Sequence, residues 1–227
     1  MSAGEETPSV TKRGQGQSPP PPPAPARRRR GRPAKLSRQA ILAAALALLD
    51  REGPDALTMR RLGSELGVEA MSLYRHVKDR DELLAGLADV LATEIEPKRG
   101  EVEWPDALRT FAAELRGVAR RHPAAFGLVG MRVLATPYVL RPIEEVLASL
   151  RGGGFTPARA IFAYRLVSSY ARGYALAELS GFAIEVSAEA PLPAVRALGR
   201  RLASEPTDSS FRAGLETIIA GLRSQLD

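Results

Sequence analysis

From Leu36 onward, apolar residues recur three and four positions apart, the spacing of one helix face. No stretch alternates apolar and polar residues between hairpin turns, and no segment repeats. Ser37 is a good N-cap for a first helix whose stripe is Ile41, Ala45, Leu48 and Leu49, and Gly53-Pro54 stops it. Thr58 caps a second, short helix carrying Leu62 and Leu66, which ends at Gly67. A third is predicted from about Ala70 to His76. Asp79 caps a fourth, with Leu83, Leu84, Leu87, Val90 and Leu91 on its buried side. Beyond a charged break at Glu96–Glu103, amphipathic helices are expected over about 105–121, 137–151, 157–181, 192–203 and 208–225. Thr156-Pro157 pairs an N-cap with proline at the first helical position, and Gly152-Gly153-Gly154 ends the preceding helix.

The pattern predicts an all-α chain in three parts. Residues 1–35 form a disordered basic tail, 36–82 a compact three-helix domain, and 83–227 an all-helical domain, with helix 79–95 linking the two. The tail is rich in Gly, Ser and Pro, with prolines at 19–23, before Arg27-Arg28-Arg29-Arg30-Gly31-Arg32-Pro33-Ala34-Lys35.

Charge sharpens this division. Of 32 Lys/Arg and 26 Asp/Glu, eight and two fall in residues 1–35, leaving 24 of each in the remaining 192 residues. The net +6 therefore sits wholly in the tail, which points to a polyanionic partner. Arg30-Gly31-Arg32-Pro33 resembles the AT-hook core, which threads arginines into narrow A·T minor grooves. A merely solvated charge run is the other reading of the same residues.

The chain lacks cysteine, which excludes disulfides and thiolate metal sites. His76 and His122, the two histidines, lie too far apart in sequence to make a ligand pair, so neither a metal nor a cofactor is expected. No apolar run approaches the roughly 18 residues that span a bilayer. The longest, Ala40–Leu49, ends at Asp50, and Arg165, Arg172 and Glu178 interrupt the segment from Ile161 to Ile184. The N-terminus has no apolar signal-peptide core. A cytoplasmic protein without membrane contact is expected.

The short helices around Gly67 are the most informative element. A helix of six or seven residues cannot stand alone, because nucleation is costly. Leu62, Leu66, Val68, Leu73 and Val77 must therefore pack onto the first and fourth helices. That leaves Ala70, Met71, Ser72, Tyr74, Arg75 and His76 on a projecting helix that fits the major groove, about 12 Å wide.

Leu57-Thr58, Arg60, Leu62, Leu66-Gly67-Val68, Leu73-Tyr74-Arg75-His76-Val77, Lys78, Arg80 and Leu83-Leu84 together resemble the N-terminal helix-turn-helix of the tetracycline-repressor family. The likeness covers about residues 37–91; beyond that it is one of layout only. It implies a DNA-binding transcriptional regulator that represses as a dimer and is released by a small molecule. By position, Tyr74, His76 and Arg80 become phosphate contacts, with Thr58 and Lys78 as helpers, and Arg60 reaches toward a guanine edge. Ala70 and Met71 depart from the proline and polar residues of the family's founding member, so apolar readout, as of a thymine methyl, is expected there.

The final helix spaces Phe211, Leu215, Ile218 and Leu222 by four, three and four, a seam suited to a helical partner or to internal packing. In the helix from 157, Ala163, Ser168, Ala171 and Ala175 permit close helix approach. The resemblance implies that these two helices build a four-helix dimer interface. Phe111, Phe126, Met131, Leu134, Tyr138, Phe162 and Tyr174 are candidates for an effector cavity, with Tyr164 and Tyr170 also at hand. Alignment puts Val133 and Ala177 where the founding member chelates magnesium, with Glu178 one residue off. The expected effector is thus a metal-independent, apolar or aromatic small molecule. Two rival functions remain: a DNA-architectural protein acting through its tail, and an enzyme, for which no nucleophile–base pair, metal cluster or phosphate loop is found.

Overall fold

A computed structural model describes residues 1, 36–96, 102–132, 136–181, 184–187, 189, 191–202, 207–224 and 226. The chain divides into two units, Met1–Ala34 and Lys35–Asp227, and all the described helices belong to the second. The tail expectations, Arg30 and Arg32 included, lie outside the described residues.

Among those residues every element is helical. Helix α1 spans Arg38–Glu52, and the Ser37 hydroxyl accepts the Ala40 N–H at 3.1 Å as its cap. A single 3₁₀ turn, Pro54–Ala56, leads to α2, Met59–Leu66, whose cap is the Thr58 hydroxyl accepting the Arg61 N–H. Gly67 closes α2 in the left-handed region (φ 67°), where a side chain would be strained. Helix α3 is Ala70–Leu73, shorter than the predicted stretch to His76. Past Leu73 the helical bonding gives way to a turn: the His76 N–H reaches back three residues and the Val77 N–H four, both to the Leu73 carbonyl.

Helix α4, Arg80–Thr93, opens with a capping box shifted by one residue. Asp79 accepts the Glu82 N–H at 2.8 Å, while the Glu82 carboxylate reaches back to the Lys78 N–H at 2.6 Å. Next come α5 (Trp104–Arg121), α6 (Pro123–Val129), α7 (Pro137–Gly152), α8 (Pro157–Ser180), α9 (Pro193–Leu202) and α10 (Asp208–Arg223). The seven-residue α6 escaped the periodicity reading, which needs several turns to register. Its signal was Pro123 at the first helical position after His122.

Leu62, Leu73 and Val77 are fully buried, with Leu66 and Val68 packed at the edge of the same core. Gly63 lets α2 and α3 cross closely: a Cβ there would stand 2.9 Å from the Val68 carbonyl oxygen. Helix α1 packs on α2, α4 and α6, and α4 packs in turn on α6 and α7. The helix that closes the N-terminal bundle is therefore embedded in the C-terminal one. Within the latter, α5 lies against α7 and α8, and α10 lies on α8.

Candidate DNA-reading head and effector cavity

The short α3 owes its fixed position to Leu73, which is wholly buried, so the residues around Leu73 project as a rigid unit. Met71 is 74% exposed and Tyr74 43% exposed. Arg75 is exposed, and Ala70, Ser72 and His76 are half-buried. Thr58, Arg60, Lys78 and Arg80 are exposed as well. Thr58 already accepts the Arg61 N–H, which leaves its hydroxyl proton free to donate outward.

Charge in this head is segregated. Arg61 is held by Glu52 and Glu65, Arg51 also binds both carboxylates, and Arg38 faces Glu82 at 3.8 Å. Asp81 is taken by Arg132. By contrast, Arg60, Arg75, Lys78 and Arg80 hold no side-chain carboxylate among the described residues. A head that is formally near neutral thus presents its free cations around α3, where a phosphate backbone can take them.

Two ion-pair assemblies, neither evident in the sequence, join distant helices. The His122 ring lies between α5 and α6. Its Nδ1 stands 2.8 Å from Asp50 of α1, and its Nε2 2.9 Å from Glu94, the residue capping α4. Arg121 also donates to Glu94, at 3.0 Å. Head and body are therefore pinned at one junction. Deeper in the body, the buried Arg116 grips Glu178 of α8 and Asp208 of α10, and Arg120 holds the same two carboxylates. The Arg116 guanidinium also lies over the Phe211 ring, 4.5 Å from its centre. This arginine holds the Glu178 carboxyl below its ordinary range, its hydrogen bond outweighing the opposing effect of burial. A carboxylate so engaged is not offered to a metal.

Between α4, α5 and α7 runs a cleft of about 1080 Å³, bordered by Trp104, Phe111, Arg141, Pro142 and Glu145. A smaller space of about 70 Å³ adjoins it among Leu115, Phe126, Val129, Val139 and Arg172. Ile95, Phe111 and Pro142 border both. Of the residues expected at an effector site, the structure brings Phe111 and Phe126 together here. It does not bring Met131, Tyr138 or Phe162, which are 69%, 58% and 50% exposed. Tyr174 packs instead on Tyr170 and Phe211 in an aromatic cluster between α8 and α10, where it is half-buried. Leu134 lies outside the described residues. Trp104 was missed in the sequence; it packs edge-on against Phe155 at 5.0 Å.

The residues expected at a dimer interface pack within their own chain. Phe211, Leu215 and Leu222 of α10, and Ser168, Ala171 and Ala175 of α8, are buried within their own chain, with Ile218 half-buried. The small residues of α8 admit α5, and the α10 seam packs onto α8 and α5. What α8 leaves exposed is a different apolar strip, Ile161, Phe162 and Leu166. Ala213, Thr217, Ala220 and Gly221 are exposed on α10.

Comparison with known proteins agrees with this architecture. Residues 41–87 match the model of bacterial regulatory proteins of the tetR family, and residues 96–226 that of the tetracyclin repressor-like C-terminal domain. A tetracycline repressor protein of class D from Escherichia coli is 31% identical over 85% of this chain and 92% of its own. An HTH-type transcriptional regulator of Saccharopolyspora erythraea is 39% identical over 63% of this chain, which spans 61% of that regulator's length. The crystal structure of the Streptomyces coelicolor TetR family protein ActR in complex with actinorhodin superposes with a TM-score of 0.72. It is 32% identical, covering 85% of this chain and 99% of that one. With helix-turn-helix, helical body and both family models in register, the chain belongs to the tetracycline-repressor family of bacterial regulatory proteins.

Proposed function

We propose that the chain is a transcriptional repressor that binds a palindromic double-stranded DNA operator as a homodimer and is released by a small molecule. The observation that carries this reading is the projecting α3 turn, with Met71 and Tyr74 exposed among free cations while its own Leu73 is locked in the core. Tyr74, His76, Arg80, Lys78 and Thr58 contact phosphate. Ala70, Met71, Ser72, Arg75 and Arg60 face base edges. In the tail, Arg30 and Arg32 add minor-groove contact.

The dimer forms through the exposed strip of α8, Ile161, Phe162 and Leu166, with α10 alongside. This apolar strip is left unburied by one chain, whereas the seam first expected is not. The effector is a metal-independent, mainly aromatic molecule that enters the α4–α5–α7 cleft. Ala177 offers no ligand, and Glu178 is already held by two arginines. Among the described residues no group of three or more His, Cys, Asp or Glu is placed to hold a metal ion. Switching the head from nearly all bound to nearly all released needs about 5.5 kcal/mol of differential ligand affinity.

The decisive experiment is a sequence-resolved footprint of the full chain on selected random DNA. One inverted repeat, with half-sites about a helical turn apart, is expected. Protection that tracks A·T content without a repeat would favour a DNA-architectural role for the tail. Titrating the complex with magnesium and tetracycline, with and without a chelator, should release no DNA; magnesium-dependent release would overturn the effector assignment.

A further inference from the structure

We propose that the small space adjoining the effector cleft is an anion site, in which Arg172 receives a carboxylate borne by an aromatic ligand. This rests on the effector reading of the cavity given above. This space is walled by Phe111, Leu115, Phe126, Val129 and Val139, and two cations border it, Arg132 and Arg172. Arg132 is matched by Asp81 at 2.8 Å. Arg172 donates to the Ser168 hydroxyl at 2.6 Å, one helical turn back on α8, and pairs with no carboxylate among the described residues. Elsewhere in the body Arg109, Arg116, Arg120, Arg121 and Arg141 each hold a carboxylate.

A half-buried guanidinium without a counter-ion, facing apolar walls, is costly. Its planar fork has donors to spare once the serine has taken one. The bond to buried Ser168 fixes the arm, so that the remaining donors are arranged in advance for a two-oxygen anion. Apolar walls then strengthen the attraction by lowering the local dielectric. The larger cleft carries Glu96, Glu103 and Glu145, which favour a cation. Glu145 already faces Arg141 at 3.6 Å, and neither Glu96 nor Glu103 borders the space around Arg172.

The test uses three probes of one shape: 2-naphthoate, neutral 2-naphthamide and cationic 2-naphthylmethylamine. Trp104, the chain's one tryptophan, borders the cleft, and its fluorescence reports occupancy. Wild type should bind the carboxylate roughly ten- to a hundredfold more tightly than the amide. Arg172→Gln should abolish that preference while leaving amide binding and the helical circular-dichroism signal unchanged, and Arg172→Lys should keep part of it. If the glutamine variant does not fold, the wild-type preference and its reduction in the lysine variant decide. Equal affinity for carboxylate and amide, or preference for the amine, overturns the anion site but leaves an aromatic effector standing. Failure of all three probes to bind wild type overturns both readings.

Discussion

Tyr74 and Met71 lie one turn apart on the projecting end of α3, yet their side chains suit different parts of a duplex. A phenol hydroxyl donates to a phosphate on any sequence, whereas a thioether chain discriminates only by fit against a base edge. Tyr74→Ala and His76→Ala are therefore expected to weaken binding to operator and to random DNA alike, as read by fluorescence anisotropy on both. Exchanging Met71 should instead change which base pair is preferred, by roughly 1–3 kcal/mol at one position. A buried pair sets a second expectation. Arg116 holds the Glu178 carboxyl below its ordinary range, so the stability contributed by that ionised group is present above the unfolded value and is lost as the pH falls through the folded one. Glu178→Gln should cost roughly 3 kcal/mol at pH 7. The gap from wild type should narrow only as the pH falls below the ordinary carboxylate range. Urea midpoints across that range give the comparison, and a gap independent of pH would contradict the charge argument.

At the scale of elements, the junction of α1, α4, α5 and α6 is the place where the body can hold the head. His122 reaches Asp50 on one side and Glu94 on the other. His122→Ala should leave the operator sequence preference intact while reducing the ability of an effector to displace DNA by several-fold, as measured by competition titration at fixed effector occupancy. The helices themselves were largely legible in the sequence because Ser37, Thr58, Asp79 and Thr156 announce their starts chemically. So was the fold of the helix-turn-helix, whose short-range pattern matches the family model over residues 41–87. Less legible were pairings between distant segments. His122 and Asp50 lie 72 positions apart, and nothing local to either announces the pairing. Nor does helical spacing say whether the stripe of Phe211, Leu215 and Leu222 meets its own chain or another; burial in one chain favours the former. Leu73 ends α3 sooner than periodicity implies, since a fully buried side chain needs only one turn of helix to carry it.

For the whole molecule, the separation of charge between tail and remainder is expected to set how it approaches DNA. The tail carries the entire net +6, and the remainder is formally balanced. Removing residues 1–35 is expected to leave the fold intact but to flatten the dependence of DNA affinity on salt. For every phosphate that the shortened chain no longer neutralises, the slope of log K against log salt should fall by about 0.9. Equal slopes for the full and shortened chains, measured from 50 to 200 mM salt, would show that the tail arginines do not engage phosphate. Among the described residues no helix is long and apolar enough to cross a membrane.

The placement of α3 also bears on how such a protein can change over generations. Leu73 alone is buried in it, while Met71 is 74% exposed. Substitutions at Met71, Arg75 and their neighbours therefore meet little resistance from folding, since exposed positions away from caps and cores usually alter stability by no more than about 0.5 kcal/mol. A lineage can thus acquire a new DNA target by drift at a few surface positions, without passing through an unstable intermediate. The proposed effector cleft has no such freedom. Phe111, Phe126 and Leu115 are core as well as lining, so a new effector demands changes that the fold must also accept. Among descendants of one such gene, operator choice should diverge sooner than the chemistry of the signal.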